Sequence, residues 1–405
     1  MKTKLKFGFL CLLFTNLLSV QAQTATEVAT TNVTAIGVQN GALFPSATGL
    51  RSTFVGYQAG QGIEVDSPNN TFVGYRSGRQ TTNGSNNSFF GLDSGLNNRS
   101  GSQNTFIGSL AGLSNTVGSD NVFVGWGAGN KNNGSTNTFV GRSSGDANTA
   151  GAGNTFLGFI SGLNNQSGVN NVFLGAAAGQ NNISGGNNVL TGFGAGSSLN
   201  SWGNSIYGTF AGQYSTGDGN VLLGSNSGKN SISSNVMIGS SAGENAIVSN
   251  QLFIDNTNTA SPLIWGDFSA DQLKLNGKVG IGAVTAFPTT AGTVNVSNYK
   301  LFVTGGILTD EVRVNLSSSG TWADYVFNKD YNLKPLSEVE KFINDNGHLP
   351  NVPSAKQVEE EGIELGNMSK IQQEKIEELT LYLIQQKKEI EELKAQLKVL
   401  IEKKQ

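Results

Sequence analysis

His348 and Cys11 are the single histidine and single cysteine of this 405-residue chain, so acid–base, thiolate or imidazole–metal chemistry would have to start at one of them. A general base needs a nucleophile within hydrogen-bond reach. His348 lies instead in "NGHLPNVP", at a turn between a helical stretch and two prolines, and is expected to make a structural hydrogen bond. Cys11 falls inside an apolar N-terminal run, and Leu10 precedes it where a lipid-attachment site carries a small residue. With that run removed, no thiol is left for a disulfide, a nucleophile or a metal. Ser317-Ser318-Ser319-Gly320 has no nearby base in sequence. Gly192-Phe193-Gly194 has the glycines of a phosphate loop but no following Lys-Ser/Thr. Acidic residues are sparse in the Gly-rich stretches, so the Asp-bearing calcium rung is not spelled. The expectation is a non-enzymatic chain without cofactor or metal.

Composition points elsewhere. Glycine is 54 of 405 residues, about twice the usual share, while hydrophobic residues are 37% and charged residues 14%, with a net charge of −3. A nucleic-acid partner calls for a clustered basic face, which this balance does not supply. The low charge also separates the chain from ordinary disorder. Lys2, Lys4 and Lys6, the apolar run from Phe7 to Leu18, and Val20-Gln21-Ala22 read as a signal peptide over 1–22. An uncleaved anchor is the alternative, and the run is short for it. No later stretch is apolar enough to span a membrane. The expected location is secreted or on the outer cell surface, with 23–48 as an N-terminal cap.

Residues 49–248 repeat one phrase, Asn-x-Φ-Φ-Gly-x-x-(Ala/Ser)-Gly, as in NTFVGYRSG from Asn70 to Gly78 and NTFIGSLAG from Asn104 to Gly112. The closing glycines recur every 15–18 residues from Gly60 through Gly112, Gly129 and Gly162 to Gly243. A period near 17 predicts a stacked-repeat β-roll or solenoid. Several glycines per unit disfavour helix, and the β-branched and aromatic Φ pairs favour strand. Each unit is read as a short strand, a Gly turn, a second short strand and a polar turn. Alternation along the strand puts Asn, the first Φ and Gly on one face. That face should stack Phe72, Phe106, Phe123, Phe139, Phe156 and Phe173 into one column. The head asparagines, Asn104, Asn121 and Asn154 among them, are expected to hydrogen-bond from rung to rung or to serve the turn. The opposite strand face carries Val55, Val73, Ile107 and Leu157 and is also apolar. A partner chain is its simplest cover; other parts of the same rung are the alternative. Asn250-Gln-Leu-Phe-Ile-Asp255 reads as a damaged terminal copy that caps the array.

The texture changes over 249–315, a β-rich transition in which 272–282 and 299–314 read as strands. A small α+β module is expected over 316–366, with a helix over 336–344 stopped by Gly347 and a short helix over 354–361. From about Asn367 to the end, Ile376, Leu379, Leu383, Gln386, Ile390, Leu393, Leu397 and Leu400 are spaced 3-4-3-4-3-4-3, a coiled-coil seam. Gln386 is its polar layer, and Glu389 with Lys394 could pair between parallel chains. Ile at a and Leu at d tends toward dimers, and a single helix docked on its own chain is the other alternative. Leu381 and Ile384 lie off the seam and are expected to pack on the preceding module.

"NTFVGYRSG" and its copies resemble the head repeats of trimeric autotransporter adhesins, and more closely the repeat-bearing secreted surface proteins of Bacteroidota. "WADYVFNKDYNLKPLSEVEKFINDNGHLPNVPSAKQV" is similar to the C-terminal module of the latter and to the trimerising chaperone ends of phage tail fibres. The resemblance spans about 50–250 and 300–395. It implies a left-handed, intertwined homotrimeric β-roll in an exported adhesin-like fibre, trimerised by its C-terminal module. Implied partners are further copies of the chain and a host, cell-surface or saccharide ligand, met through turns such as 61–69 and 146–153. Two departures matter. No β-barrel anchor follows the helix, which argues against direct autotransport. Self-cleaving fibre chaperones use a Ser-Asp pair, whereas Asp324 here follows Ala323. A self-cleaving fibre end remains one alternative. A monomeric solenoid binding saccharide or ice is another, although its regular Thr ladder is broken here by Val and Ser.

Overall fold

The computed structural model describes residues 34–36, 51–64, 67–315 and 322–404. The signal-peptide reading over 1–22 and nearly all of the cap over 23–48 lie outside the described residues. The chain divides into two compact units, Met1–Asn276 and Gly277–Gln405.

The first unit is mainly β, a solenoid of about twelve turns. Its strands belong to one 16-stranded sheet in sequence order. Three-residue strands run from Thr34–Ile36 and Thr53–Val55 through Val236–Ile238. Each pairs in parallel and in register with the next, so that Phe106 lies beside Phe123 and Phe123 beside Phe139. The ladder is closed within a single chain, so no strand from another chain is needed between rungs.

Among the described residues one strand per rung forms, and the expected second strand is not found there. In its place two left-handed residues follow the strand, as at Leu110 (φ 62°) and Gly112 (φ 59°). They curl the chain through turns whose N–H groups bond both within the rung and across it: Ala111 donates to the carbonyl of Gly108 at 3.3 Å and Gly112 to that of Ala128 at 3.0 Å. The backbone groups outside the strand are thus satisfied without a second strand.

The last parallel strand is Gln251–Ile254. Phe253 pairs with Met237, and Gln251, not Asn250, takes the head position, its N–H bonding the Asn235 side-chain oxygen at 3.0 Å. Two antiparallel strands, Ile264–Asp267 and Gln272–Leu275, then close this end of the sheet.

In the second unit Val279–Ile281 pairs with Leu301–Val303, and Thr290–Ala291 with Val294–Asn295. The strand expected over 299–314 stops at Val303, and 306–309 is irregular, with Ile307 and Leu308 exposed and so gaining nothing from a strand's burial. A short 3-10 helix, Ala323–Phe327, precedes α1 (Leu336–Asn346), α2 (Ala355–Glu361) and α3 (Leu365–Glu402). Gly347 ends α1 in the left-handed conformation, φ 77°. Ser354 caps α2 through a bond from the Gln357 N–H.

Candidate functional site: ladders, outer columns and a helix seam

The solenoid interior is built from a few residue types at fixed places. Phe72, Phe106, Phe123, Phe139, Phe156 and Phe173 are fully buried. Their rings stack, with centroids 4.7 Å apart for Phe106–Phe123 and 4.6 Å for Phe156–Phe173. Each buried side chain contributes about 1.5–3 kcal/mol, and the offset stack adds to it. From Leu190 onward the column turns aliphatic, through Ile206, Leu222 and Met237.

The closing glycines seat those rings. At Gly112, Gly129 and Gly162 φ is 58–59°, and a Cβ would lie 2.4–2.5 Å from a carbon of Phe106, Phe123 or Phe156 respectively. The (Ala/Ser) position just before is buried as well. Where it is Ser its hydroxyl finds a carbonyl, as Ser144 does on Phe156 at 3.2 Å.

The head asparagines form a buried amide ladder. The Asn104 oxygen accepts the backbone N–H of Asn121 at 3.0 Å, and the Asn121 amide donates to the Gly134 carbonyl at 3.0 Å. The Asn154 oxygen accepts from Asn171 N–H at 3.0 Å, while its amide donates to Gly168 at 2.8 Å. A second ladder, missed in the sequence, runs parallel to it through Asn98, Asn115, Asn132, Asn148, Asn165 and Asn182. Its signal was present: each follows a closing glycine by three residues.

Outside, the strand side chains flanking the Phe column point to solvent. Ile107, Leu157, Val172 and Leu174 are each 41–45% exposed, giving a flat, largely apolar face. A column at the next corner, one residue past the strand glycine, carries Tyr57, Tyr75, Trp126 and Phe159. Tyr57 and Tyr75 are stacked at 5.3 Å with planes 12° apart.

In the second unit α3 docks on the 3-10 helix through polar groups. Tyr325 donates to Glu374, Tyr331 to Glu378, and Asn351 to Glu374 at 3.2 Å. Lys375 bridges Glu374 at 2.9 Å and Glu378 at 2.7 Å. The bond to Glu374, with burial, pushes the Tyr325 phenol up to about 12. Burial and the bond to Glu378 push Tyr331 up as well. Burial works against ionised Glu374, but its bonds from Tyr325, Lys375 and Asn351 outweigh it and hold the carboxyl below its ordinary value. Leu381 is half-buried, but Ile384 is 46% exposed, so the docking face is Glu374, Glu377 and Tyr382 rather than that apolar pair. This network was not legible in sequence, because its tyrosines lie 47–49 residues from the glutamates they bond.

The seam residues of α3 are largely open to solvent. Ile376, Leu379, Leu383, Ile390, Leu393, Leu397 and Leu400 are each 51–62% exposed, and Gln386 is exposed among them. Ile376 and Leu379 also line a groove of about 550 Å³ with Leu336, Val339, Leu349 and Tyr382.

His348 is half-buried, its Nδ1 3.0 Å from the Leu349 carbonyl and its ring edge-on to Phe342. Ser317 to Ser319 lie outside the described residues. Among the described residues no three or more His, Cys, Asp or Glu are grouped to hold a metal, and no helix is long and apolar enough to cross a membrane. No family model, no curated protein and no solved structure matches the chain.

Proposed function

We propose that this chain is the subunit of an exported, non-catalytic structural fibre of adhesin type, working as a parallel homotrimer. The observation that carries the reading is the seam on α3: seven apolar residues at heptad spacing, all more than half exposed in the single chain. A soluble helix with such a stripe buries it against another helix. Parallel, in-register copies would bury it, and would also fill the groove beside Ile376 and Leu379 with a neighbouring helix. The flat apolar face of the rungs is a second surface for association between copies. The number three comes from the resemblance to trimeric fibre proteins; the Ile/Leu pattern alone is equally at home in a dimer.

In this reading the solenoid supplies length, roughly 58 Å for twelve rungs at ~4.8 Å each. The polar turns, 146–153 among them, are the surface offered to a host, a cell surface or a saccharide. Signal removal, secretion and display at the outer surface belong to the same proposal.

Disulfide trapping tests it. Leu393→Cys places a thiol in the seam of a chain whose one native cysteine is in the leader. Parallel in-register helices give a covalent pair at that position under mild oxidation, whereas Glu391→Cys, off the seam, gives none. No pair at Leu393, or equal pairing at both, contradicts the proposal.

A further inference from the structure

The corner column beside the strands contains a seat that the protein fills in one place and leaves open in another. Trp126, Arg142, Phe159, Ala176 and Phe193 occupy this column in consecutive rungs. The backbone ladder fixes the register: the carbonyls of Trp126, Arg142, Phe159 and Ala176 accept from Ser143, Ile160, Ala177 and Gly194 at 2.9–3.0 Å. Residues two rungs apart are therefore separated by roughly 9.6 Å along the stack.

Between Trp126 and Phe159 that interval is occupied. The Arg142 guanidinium carbon lies 5.3 Å from the Trp126 ring centre and 5.8 Å from that of Phe159. A planar cation between two aromatic side chains is attracted by both π-systems. Where two aromatics fall in adjacent rungs of the column, Tyr57 and Tyr75, they stack along the rung direction.

One interval further on, the walls recur and the filling does not. Phe159 and Phe193 are 48% and 52% exposed, and the rung between them offers only the methyl group of Ala176. Phe193 is held on its far side by an edge contact with Phe210, 5.1 Å and 78°. We propose that Phe159, Ala176 and Phe193 form a binding seat for the guanidinium of an arginine side chain on a partner protein. The evidence for the ligand class is internal: the preceding interval of the same column shows an arginine in the equivalent place. The inference is independent of whether the chains associate.

The test uses the full mature chain and fluorescein-labelled tetra-arginine and tetra-lysine peptides of equal charge, read by anisotropy at fixed ionic strength. Arginine peptide is expected to bind about 5-fold more tightly than lysine peptide, as guanidinium stacking exceeds that of ammonium at exposed rings. Ala176→Arg should fill the seat from within and abolish the difference. The same position already holds Arg142 in another rung, so this variant keeps the fold. Phe193→Ala should abolish the difference too, whereas Ser109→Arg, elsewhere in the column, should leave it intact. Equal binding of both peptides, or a preference unchanged by Ala176→Arg, overturns the proposal. So does binding of cellohexaose in place of arginine peptide, lost in the same variants, which would make the seat a sugar site.

Discussion

Asn182 and Leu199 hold the same place in consecutive rungs, each donating its N–H to the closing glycine of its own rung at 2.9–3.0 Å. In the rungs before them the side-chain oxygen at this place accepts from the next asparagine, as Asn165 does from Asn182 at 2.9 Å. Leu199 has no donor, and the Asn182 oxygen is buried without a partner. The Phe column changes at the same rung, from Phe173 to Leu190. A Cβ on Gly196 would lie 2.9 Å from Leu190 and 3.4 Å from Leu199, so both leucines pack about one glycine. Leu199 thus fills the volume that a smaller Leu190 leaves, at the cost of ending an amide ladder.

That relationship predicts coupling. Leu190→Phe alone overpacks against Leu199, and Leu199→Asn alone leaves a cavity. The double variant restores both columns and should be more stable than the single variants predict. A double-mutant cycle by urea denaturation is expected to give a favourable coupling of about 1–3 kcal/mol. Additive effects would show that the two columns are independent.

The head ladder should be costly to interrupt. Asn121→Ala removes the acceptor of the Asn137 N–H and the donor to the Gly134 carbonyl, both bonds buried. Leaving the Asn137 N–H unpaired costs about 1–3 kcal/mol, while the Gly134 carbonyl keeps its bond from the Asn132 amide at 2.8 Å. Asn181→Ala, an exposed amide, should stay within about 0.5 kcal/mol of the parent.

Gly162→Ala combines a left-handed backbone with a collision on the Phe156 ring. Gly203→Ala has a similar φ, +69°, but nothing within 4 Å of the new methyl group. The second should cost about 1–2 kcal/mol from conformation alone, and the first clearly more. Equal losses in thermal melts would mean the Phe column yields to make room.

The second unit should weaken at both ends of the pH scale. The Tyr325 phenol is raised in the fold, so its contribution is complete below the ordinary tyrosine value near 10 and is lost as pH climbs through about 12. Glu374 is lowered, so its contribution is present above the ordinary glutamate value of about 4.3 and is lost as pH falls through its depressed value. Absorbance at 295 nm should show Tyr325 ionising above the ordinary tyrosine range. Tyr325→Phe should remove one phenol from the late phase, leaving Tyr331 and Tyr382 in it, and lessen the alkaline loss of stability.

How much of this could be read beforehand follows from periodicity. The Phe column and the head asparagines recur once per rung two residues apart, so alternation along one strand placed both on the inner face, while the closing glycines are marked by the period alone. Gly347 marked the end of α1 because a left-handed C-terminal residue favours glycine. The single strand per rung was not legible: left-handed Leu110, Ile160 and Phe210 carry side chains that give no sign of that conformation. Nor was the register of the last rung, where Asn250 and Gln251 compete for the head position and only pairing with Asn235 separates them. The Tyr325–Glu374 contact joins segments far apart in the chain and leaves no local pattern.

Self-association through the α3 seam is tested by the solution mass of residues 23–405, measured by light scattering beside a chain ending at 366. Three copies are expected for the longer chain, with that assembly lost in the shorter one. A single copy at all concentrations for the longer chain would contradict it.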